Sequence, residues 1–465
     1  MYKIFLSIVL TAAFTATFAT IQPVSLSAQS ATNKQNTAIL SGNVTDFYSK
    51  KPDIIYTGLS SEIYNDRDLT AEPDASGNFS LKIPLDKPAY FKVGRNTIYL
   101  RPGDSLYMKL SGSATKTQIS GSVSQLNNYL KNLDWLGGTK FYVANINASY
   151  KRVGQMIDSI AELRFAHLEN LNSDKSFFEM ECARITADII SARFAWFSYG
   201  KYVEWNAADS VKSRKRREFY RSISADVNPL LKKLIGNDRL LEVDNIRKLL
   251  LECMEYEFFE KSDSKEFKEL CHITDLNKKM DRGLLRKDYD CIKSAIPTIS
   301  HSGLKSAIAK RFQKRESMME GVNAIDFAIF DRDGKEFKLS DLKGKPLYID
   351  LWATWCIPCL AQSPMFTELS TKYKNITFVA VSVDQDRDKW LKKIESENEK
   401  SEPENCTNKK EFITDIYKIR DGWEVEMIPR FILIDKDFRI ITAFAPRPSE
   451  KVQIEALLEK VNLVN

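Results

Sequence analysis

Trp355-Cys356-Ile357-Pro358-Cys359 sets two thiols three residues apart, where the apolar run Leu347 to Trp352 gives way to a predicted helix beginning near Cys356. A cysteine at a helix start lies beside unpaired N–H groups and the positive end of the dipole, and both favour its thiolate. About one helical turn further on, the second sulfur can close a disulfide with the first. Pro358 is tolerated between them because the first turn of a helix has no hydrogen bond to lose. Other chemistries fit these residues less well. Zinc would want a second cysteine or histidine pair, and this region offers only Cys406 and no histidine. Covalent haem would need histidine directly after the second cysteine, where Leu360 stands. Three-residue spacing is also unusual for a passive structural bridge. The pair therefore points to reversible dithiol–disulfide exchange, with neither a metal nor a cofactor.

The elements that must position this pair occupy a third of a 465-residue chain. From Gly321 onward strands and helices alternate: Phe327 to Phe330, Phe337 to Leu339, the buried-looking Leu347 to Trp352, Ile376 to Val383 and Arg430 to Ile434 read as strands. Residues 449–462 read as a closing amphipathic helix with Ser449 as its N-cap. That alternation predicts an α/β layer over residues 321–465. Before it, residues 122–316 carry helical periodicity, as in Val153, Met156, Ile157, Ile160 and Leu163, or in Ile185, Ile189, Phe194 and Phe197. Leu249, Leu250, Cys253 and Phe258 repeat the pattern. Residues 36–117 read as all-β: Phe79, Leu81 and Ile83 alternate with polar residues, and Arg101-Pro102-Gly103-Asp104 turns the chain ahead of Leu106, Met108 and Leu110. The fold class is multidomain, with an N-terminal β-sandwich, a central all-α region and a C-terminal α/β domain.

The remaining composition narrows the function. Lys+Arg 68 against Asp+Glu 62 leaves a net charge of +6, too mild for nucleic acid, and the basic run Lys212 to Arg217 reads as a solvated helix face. Three histidines weaken any histidine-based catalytic scheme. Seven cysteines are too few for a disulfide-stapled fold. Cys182, Cys253, Cys271 and Cys291 fall in or beside helical apolar patterns, as small buried residues do, and Cys406 lies in a polar stretch as a free, exposed thiol. Met1-Tyr2-Lys3 followed by the uncharged apolar stretch Ile4 to Ala19 and the small residues up to Ala28 has the layout of a secretory signal peptide, residues 1–28. With no cysteine near the cleavage site, the expectation is an exported, periplasmic or secreted protein that is not a lipoprotein.

Residues 321–465 resemble the thioredoxin fold, and within it the exported TlpA/ResA-type thiol–disulfide oxidoreductases. The matching stretches are Asp326-Phe327, Asp341-Leu342-Lys343-Gly344-Lys345-Pro346, Asp350 through Cys359, Pro364 at the kink of the active-site helix, and Ile428-Pro429-Arg430-Phe431-Ile432-Leu433-Ile434-Asp435. The resemblance implies that Cys356 attacks and forms a mixed disulfide, and that Cys359 resolves it. It implies a cis Pro429, a backbone at Ile428 that pairs with the bound target chain, and an apolar docking rim at Trp355. Where many members carry glutamate, three residues after the second cysteine, this chain has Gln362. Asp350, six residues before Cys356, stands where thioredoxin has a buried aspartate. Flanked by Ile349 and Leu351, it should be buried, its pKa raised, and able to deprotonate Cys359 in place of the missing glutamate. Two further departures are Asp437-Phe438 at a turn where the family prefers glycine, and a small insertion from Arg420 to Glu426.

The same resemblance implies partners: a disulfide-containing envelope protein or small disulfide as substrate, and a membrane electron-transfer reductase as donor. The expected direction is reduction, with oxidase or isomerase activity next. Peroxidase chemistry fits poorly, since Ala353 and Ile349 occupy the positions where peroxiredoxins need Thr or Ser and proline. A competing class is a binding or scaffold protein with the redox domain as accessory. In that reading, as in the first, the β and helical regions would seat a partner or a homodimer mate.

Overall fold

A computed structural model describes residues 37–464 apart from 48, 50, 65–68, 132–138, 146, 200–208, 256–263 and 399–407. The leader at residues 1–28, Phe258 and Cys406 lie outside the described residues.

The C-terminal region is built on a seven-stranded sheet. Its strands are β8 (Ala328–Phe330), β9 (Glu336–Lys338), β10 (Leu347–Trp352), β11 (Thr377–Ser382), β12 (Lys409–Ile413), β13 (Arg430–Ile434) and β14 (Ile440–Thr442), in spatial order β14-β13-β10-β11-β12-β8-β9. Strands β10, β11 and β12 run parallel, and β13 returns antiparallel against β10. Helices on the faces bury both sides of the central strands, so β10 and β11 are buried at every position. That two-sided burial explains their unbroken apolar runs. Strand β12 escapes such a reading because its sequence, Lys-Lys-Glu-Phe-Ile, is polar over its first half.

Ahead of it lie seven strands: β1 (Thr37–Asp46), β2 (Ile54–Tyr56), β3 (Asn78–Pro84), β4 (Ala89–Val93), β5 (Asn96–Leu100), β6 (Ser105–Ser111) and β7 (Gln118–Gly121). They form a four-stranded sheet, β3-β1-β6-β7, and a three-stranded one, β2-β4-β5. Helices follow from Ser124 to Glu316. Both sheets and these helices share one continuous core that runs from Ala38 to Phe312, and a second core runs from Met318 to Val461. The β and helical stretches are thus welded into one N-terminal unit.

Polar clasps reinforce the weld. Arg247, fully buried on a helix, donates to the carbonyls of Leu241 (2.7 Å) and Thr57 (3.2 Å) and pairs with Glu62 at 3.1 Å. Glu242 accepts from the Tyr56 hydroxyl and the Leu59 N–H, each at 2.9 Å.

Two expected details differ. On helix Tyr150–Glu169, Leu163 is 65% exposed, and the buried stripe is Val153, Ile157, Ala161, Arg164 and Leu168. Arg164 occupies that stripe because Asp188 pairs with it at 2.8 Å. The last helix starts at Lys451 rather than Ser449, whose N–H goes instead to the Gln362 side chain.

Replacing Arg247 with methionine should destabilise the N-terminal unit by about 3 kcal/mol, because Glu62 and two carbonyls lose their partner. Differential scanning calorimetry reads this as an earlier first transition. An unchanged transition would mean that apolar contact alone joins sheet to helix.

Candidate active site

Strand β10 delivers the cysteines. It ends at Trp352, and Cys356 and Cys359 follow within seven residues, at the carboxyl edge of the parallel strands where open α/β sheets bind their ligands. The turn between is held by Asp384, a buried residue just beyond β11. Its carboxylate accepts from the Thr354 N–H and hydroxyl, both at 2.8 Å, and from the Ser382 hydroxyl at 2.7 Å. Sequence reasoning passed over Asp384. A lone acid closing an apolar strand was the available signal.

Cys356 and Cys359 are joined as a disulfide. Cys356 caps a four-residue helix, Ile357–Leu360, and the Cys359 N–H donates to its sulfur at 3.2 Å. A backbone donor aimed at that sulfur stabilises a thiolate there once the pair is reduced. Cys356 is 5% exposed and Cys359 only 1%, so an incoming disulfide reaches Cys356 first. A second helix, Ser363–Lys372, starts with Pro364 in its first turn, so the active-site helix is broken into two pieces. Gln362 lies at that break and accepts from Ser449 at 3.0 Å, a structural use for the side chain that replaces glutamate.

Opposite the pair lies the loop entering β13. The Ile428–Pro429 bond is cis, and the Ile428 carbonyl oxygen is 3.8 Å from the Cys356 sulfur. The rim is apolar and open: Trp355 is 68%, Ile357 79% and Met427 81% exposed. Ile357 sits beside Trp355 in the same segment, and Met427 joins them because the fold brings the loop before β13 to the cysteines.

Asp350 is buried in the sheet beneath. Its cross-strand partners are Phe431 on β13 and Ala380 on β11, and Ala380 pairs in turn with Glu411 on β12. Asp350, Ala380 and Glu411 therefore share one face, and Lys409, two residues before Glu411, shares it too. Burial pushes the Asp350 carboxyl well above the usual carboxylate range; the Lys409 charge opposes this and Glu411 adds to it. Lys409 has little to give because Glu411 holds its ammonium at 2.6 Å. One Asp350 oxygen has no hydrogen-bond partner among the described residues.

The other thiols stand apart from this site. Burial pushes Cys182 up to about 12, and it does the same to Cys271, to about 11, the ordinary behaviour of packed thiols. Cys253 is fully buried, but Cys291 is exposed, contrary to expectation, because only Ile292 of its helix turns fully into the core.

The C-terminal third of the chain is similar to known proteins. The Redoxin family model matches residues 319–458. Thiol-disulfide oxidoreductase ResA of Bacillus anthracis is 30% identical over 151 residues, which is 32% of this chain and 83% of that protein. ResA of Bacillus subtilis (strain 168) is 37% identical over 78 residues, 16% of this chain and 44% of that protein. Among solved structures, a thiol:disulfide interchange protein from Bacteroides sp. is 22% identical, with a TM-score of 0.27, and the match covers 31% of this chain and 92% of that one.

The raised Asp350 pKa fixes a sign. A carboxyl whose folded pKa exceeds its unfolded value loses stability as pH rises through the folded pKa, since the buried group must ionise. Asp350→Asn should therefore raise the melting temperature at pH 8. The gain should vanish by about pH 3, where the carboxyl is protonated whether folded or unfolded. A variant less stable than wild type at pH 8 would show that Asp350 is held as a satisfied anion.

Proposed function

The chain belongs, through its C-terminal third, to the TlpA/ResA-type thioredoxin-fold family of thiol–disulfide oxidoreductases, and from that premise we propose that it reduces disulfides in exported proteins through Cys356 and Cys359. One observation carries the reading: a cysteine pair lies at the centre of an exposed apolar rim, with the backbone carbonyl of Ile428 beside the more accessible sulfur. Such a rim suits a polypeptide, since a small polar disulfide gains little from Trp355, Ile357 and Met427.

The exchange runs in two displacements. The Cys356 thiolate attacks one sulfur of the substrate disulfide, forms a mixed disulfide, and expels the other substrate sulfur as a thiolate that takes a proton from water. The ionised Asp350 carboxylate then accepts the Cys359 proton. The Cys359 thiolate attacks the Cys356 sulfur, closes the Cys356–Cys359 disulfide and expels the second substrate sulfur as a thiolate, which takes a proton from water. Two electrons pass from the pair to the substrate. A membrane electron-transfer reductase returns them. The raised pKa supports the proton step, because a carboxyl of higher basicity is a better acceptor for a thiol proton.

Residues 1–28 support export to the periplasm or beyond, where target disulfides form. The two sheets before Ser124 support a β-sandwich-like part, expected over residues 36–117 and reaching Gly121 through β7, and the helices that follow support a helical part over 122–316, the two sharing one core.

The deciding measurement is the equilibrium potential of the pair in the full chain against a dithiothreitol series, with Cys356→Ser as the control that removes the couple. The expected value is near thioredoxin's, about −270 mV. A value near about −120 mV would make the protein a disulfide donor instead. In a single-turnover assay, Asp350→Asn should slow mixed-disulfide resolution while leaving the first displacement intact. An unchanged resolution rate removes Asp350 from the mechanism.

A further inference from the structure

The loop that faces Cys356 is braced from both sides by the N-terminal unit. Its approach is helix Ile416–Trp423, whose second half, from Arg420, lies in the stretch that departs from the family pattern. There the Tyr417 hydroxyl meets Ser49 Oγ at 2.7 Å, and Arg420 grips Asp53 of the β region with both nitrogens, at 2.7 and 3.2 Å. Glu424 ends the helix in the left-handed conformation (φ 49°) and lies 3.0 Å from Arg315, on the last helix of the N-terminal unit. Both side chains are buried, at 6% and 7% exposure. Their contact is a close ion pair without an aligned N–H···O bond.

The far side is braced as well. Arg430 follows Pro429 directly and stacks on the Phe444 ring at 3.3 Å, and its Nε donates to the Ala443 carbonyl. The Arg315 guanidinium covers the same ring at 4.3 Å. Gly283 of the N-terminal unit also touches it: a Cβ there would come within 3.2 Å of Phe444, at a φ of +94°. Residues 424–430 thus leave one interdomain contact and enter another.

We propose that Arg315 and Arg420, through Glu424, Phe444 and Asp53, make the N-terminal unit a positioning device for the Ile428–Pro429 loop, and so for recognition of extended polypeptide disulfides. This rests on the thiol–disulfide exchange proposed above. A target chain that pairs with the backbone at Ile428 needs that backbone fixed relative to Cys356. A small disulfide needs only the sulfur. Arg315 is a positioning residue: it lies on the other core and acts through Glu424 and Phe444.

The test uses the full chain, reduced with dithiothreitol, with insulin as the polypeptide disulfide and hydroxyethyl disulfide as the small one. In Arg315→Met, the half-saturating insulin concentration should rise about tenfold, while the rate at saturation and the reduction of hydroxyethyl disulfide stay at wild-type values. Arg315→Lys should restore part of the loss. Asp53→Asn, at a half-buried surface position, should shift insulin in the same direction by a smaller factor. Equal losses on both substrates, or no change on either, overturn the positioning role and leave the exchange chemistry standing. Wild-type protein that reduces neither substrate overturns the exchange reading itself, and the positioning role falls with it.

Discussion

Cys356 and Ile428 are 72 residues apart in the chain and meet at 3.8 Å, and the antiparallel pairing of β10 with β13 is what joins them. Register is decisive here. Leu351 pairs with Arg430, so the strand ends that carry the cysteines and the proline loop emerge side by side. A slip by one residue would turn every side chain of β13 to the opposite face and carry the loop away from the sulfur. The central strands prevent that slip by being buried on both faces, where any misplacement exposes Ile432, Leu433 or Ile434. The apolar character of β10, β11 and β13 therefore serves the chemistry indirectly: it leaves one register open to the chain.

The same burial sets the proton-acceptor role proposed for Asp350 against stability. An aspartate amid Tyr348, Ile349 and Leu351 costs folding free energy whenever it ionises, and Lys409 returns little because Glu411 holds it. A merely structural position in that strand would be better filled by an aliphatic residue of similar size. A poorly satisfied carboxyl in the sheet beneath the cysteines is accounted for by the proton-acceptor role proposed for it above. Asp384 is the counter-example: equally buried, it accepts three hydrogen bonds and fixes the turn at Thr354. Two buried acids, one on β10 and one just beyond β11, thus differ: Asp384 is fully engaged, while Asp350 keeps one oxygen without a hydrogen-bond partner among the described residues.

How much of this was legible depended on whether a signal was local. The cysteine pair, its strand-to-helix placement and the burial of Asp350 follow from short stretches of sequence, and the cis Ile428–Pro429 bond is what the family resemblance implies. What escaped notice was set by contacts between distant segments. Strand β12 is polar where Lys409 and Glu411 neutralise one another, so it carries no apolar alternation to read. Ile357 and Met427 look like ordinary core residues until the fold shows them at the rim. Leu163 follows the helical period yet faces solvent, and Arg164 replaces it in the core because Asp188, on another helix, satisfies its charge. Phe438 occupies a turn at φ 64°, a conformation costly for a bulky residue, and is held there by packing against the second core and by backbone hydrogen bonds to Asp435 and from Ala324.

Exposure separates the apolar residues that stabilise the fold from those at the rim of the cysteine pair. Among the described residues, the five most exposed large apolar side chains are Val452, Met427, Ile357, Trp355 and Leu163, and three of them ring the cysteines. Leu163 and Val452 stand singly on helices, as scattered surface residues do. The three at the rim come from two chain segments and form one patch, which chance placement of exposed residues would not favour. Their arrangement also bears on the two cores. A patch shared between the Cys356 helix and the 424–430 loop keeps its shape only if both segments are held. The first is anchored inside the redox domain by Asp384 and Gln362, whereas the second is gripped from outside it by Arg315 and Asp53. Half of the rim is therefore held from the N-terminal unit, so the two cores meet at the loop beside the cysteine pair.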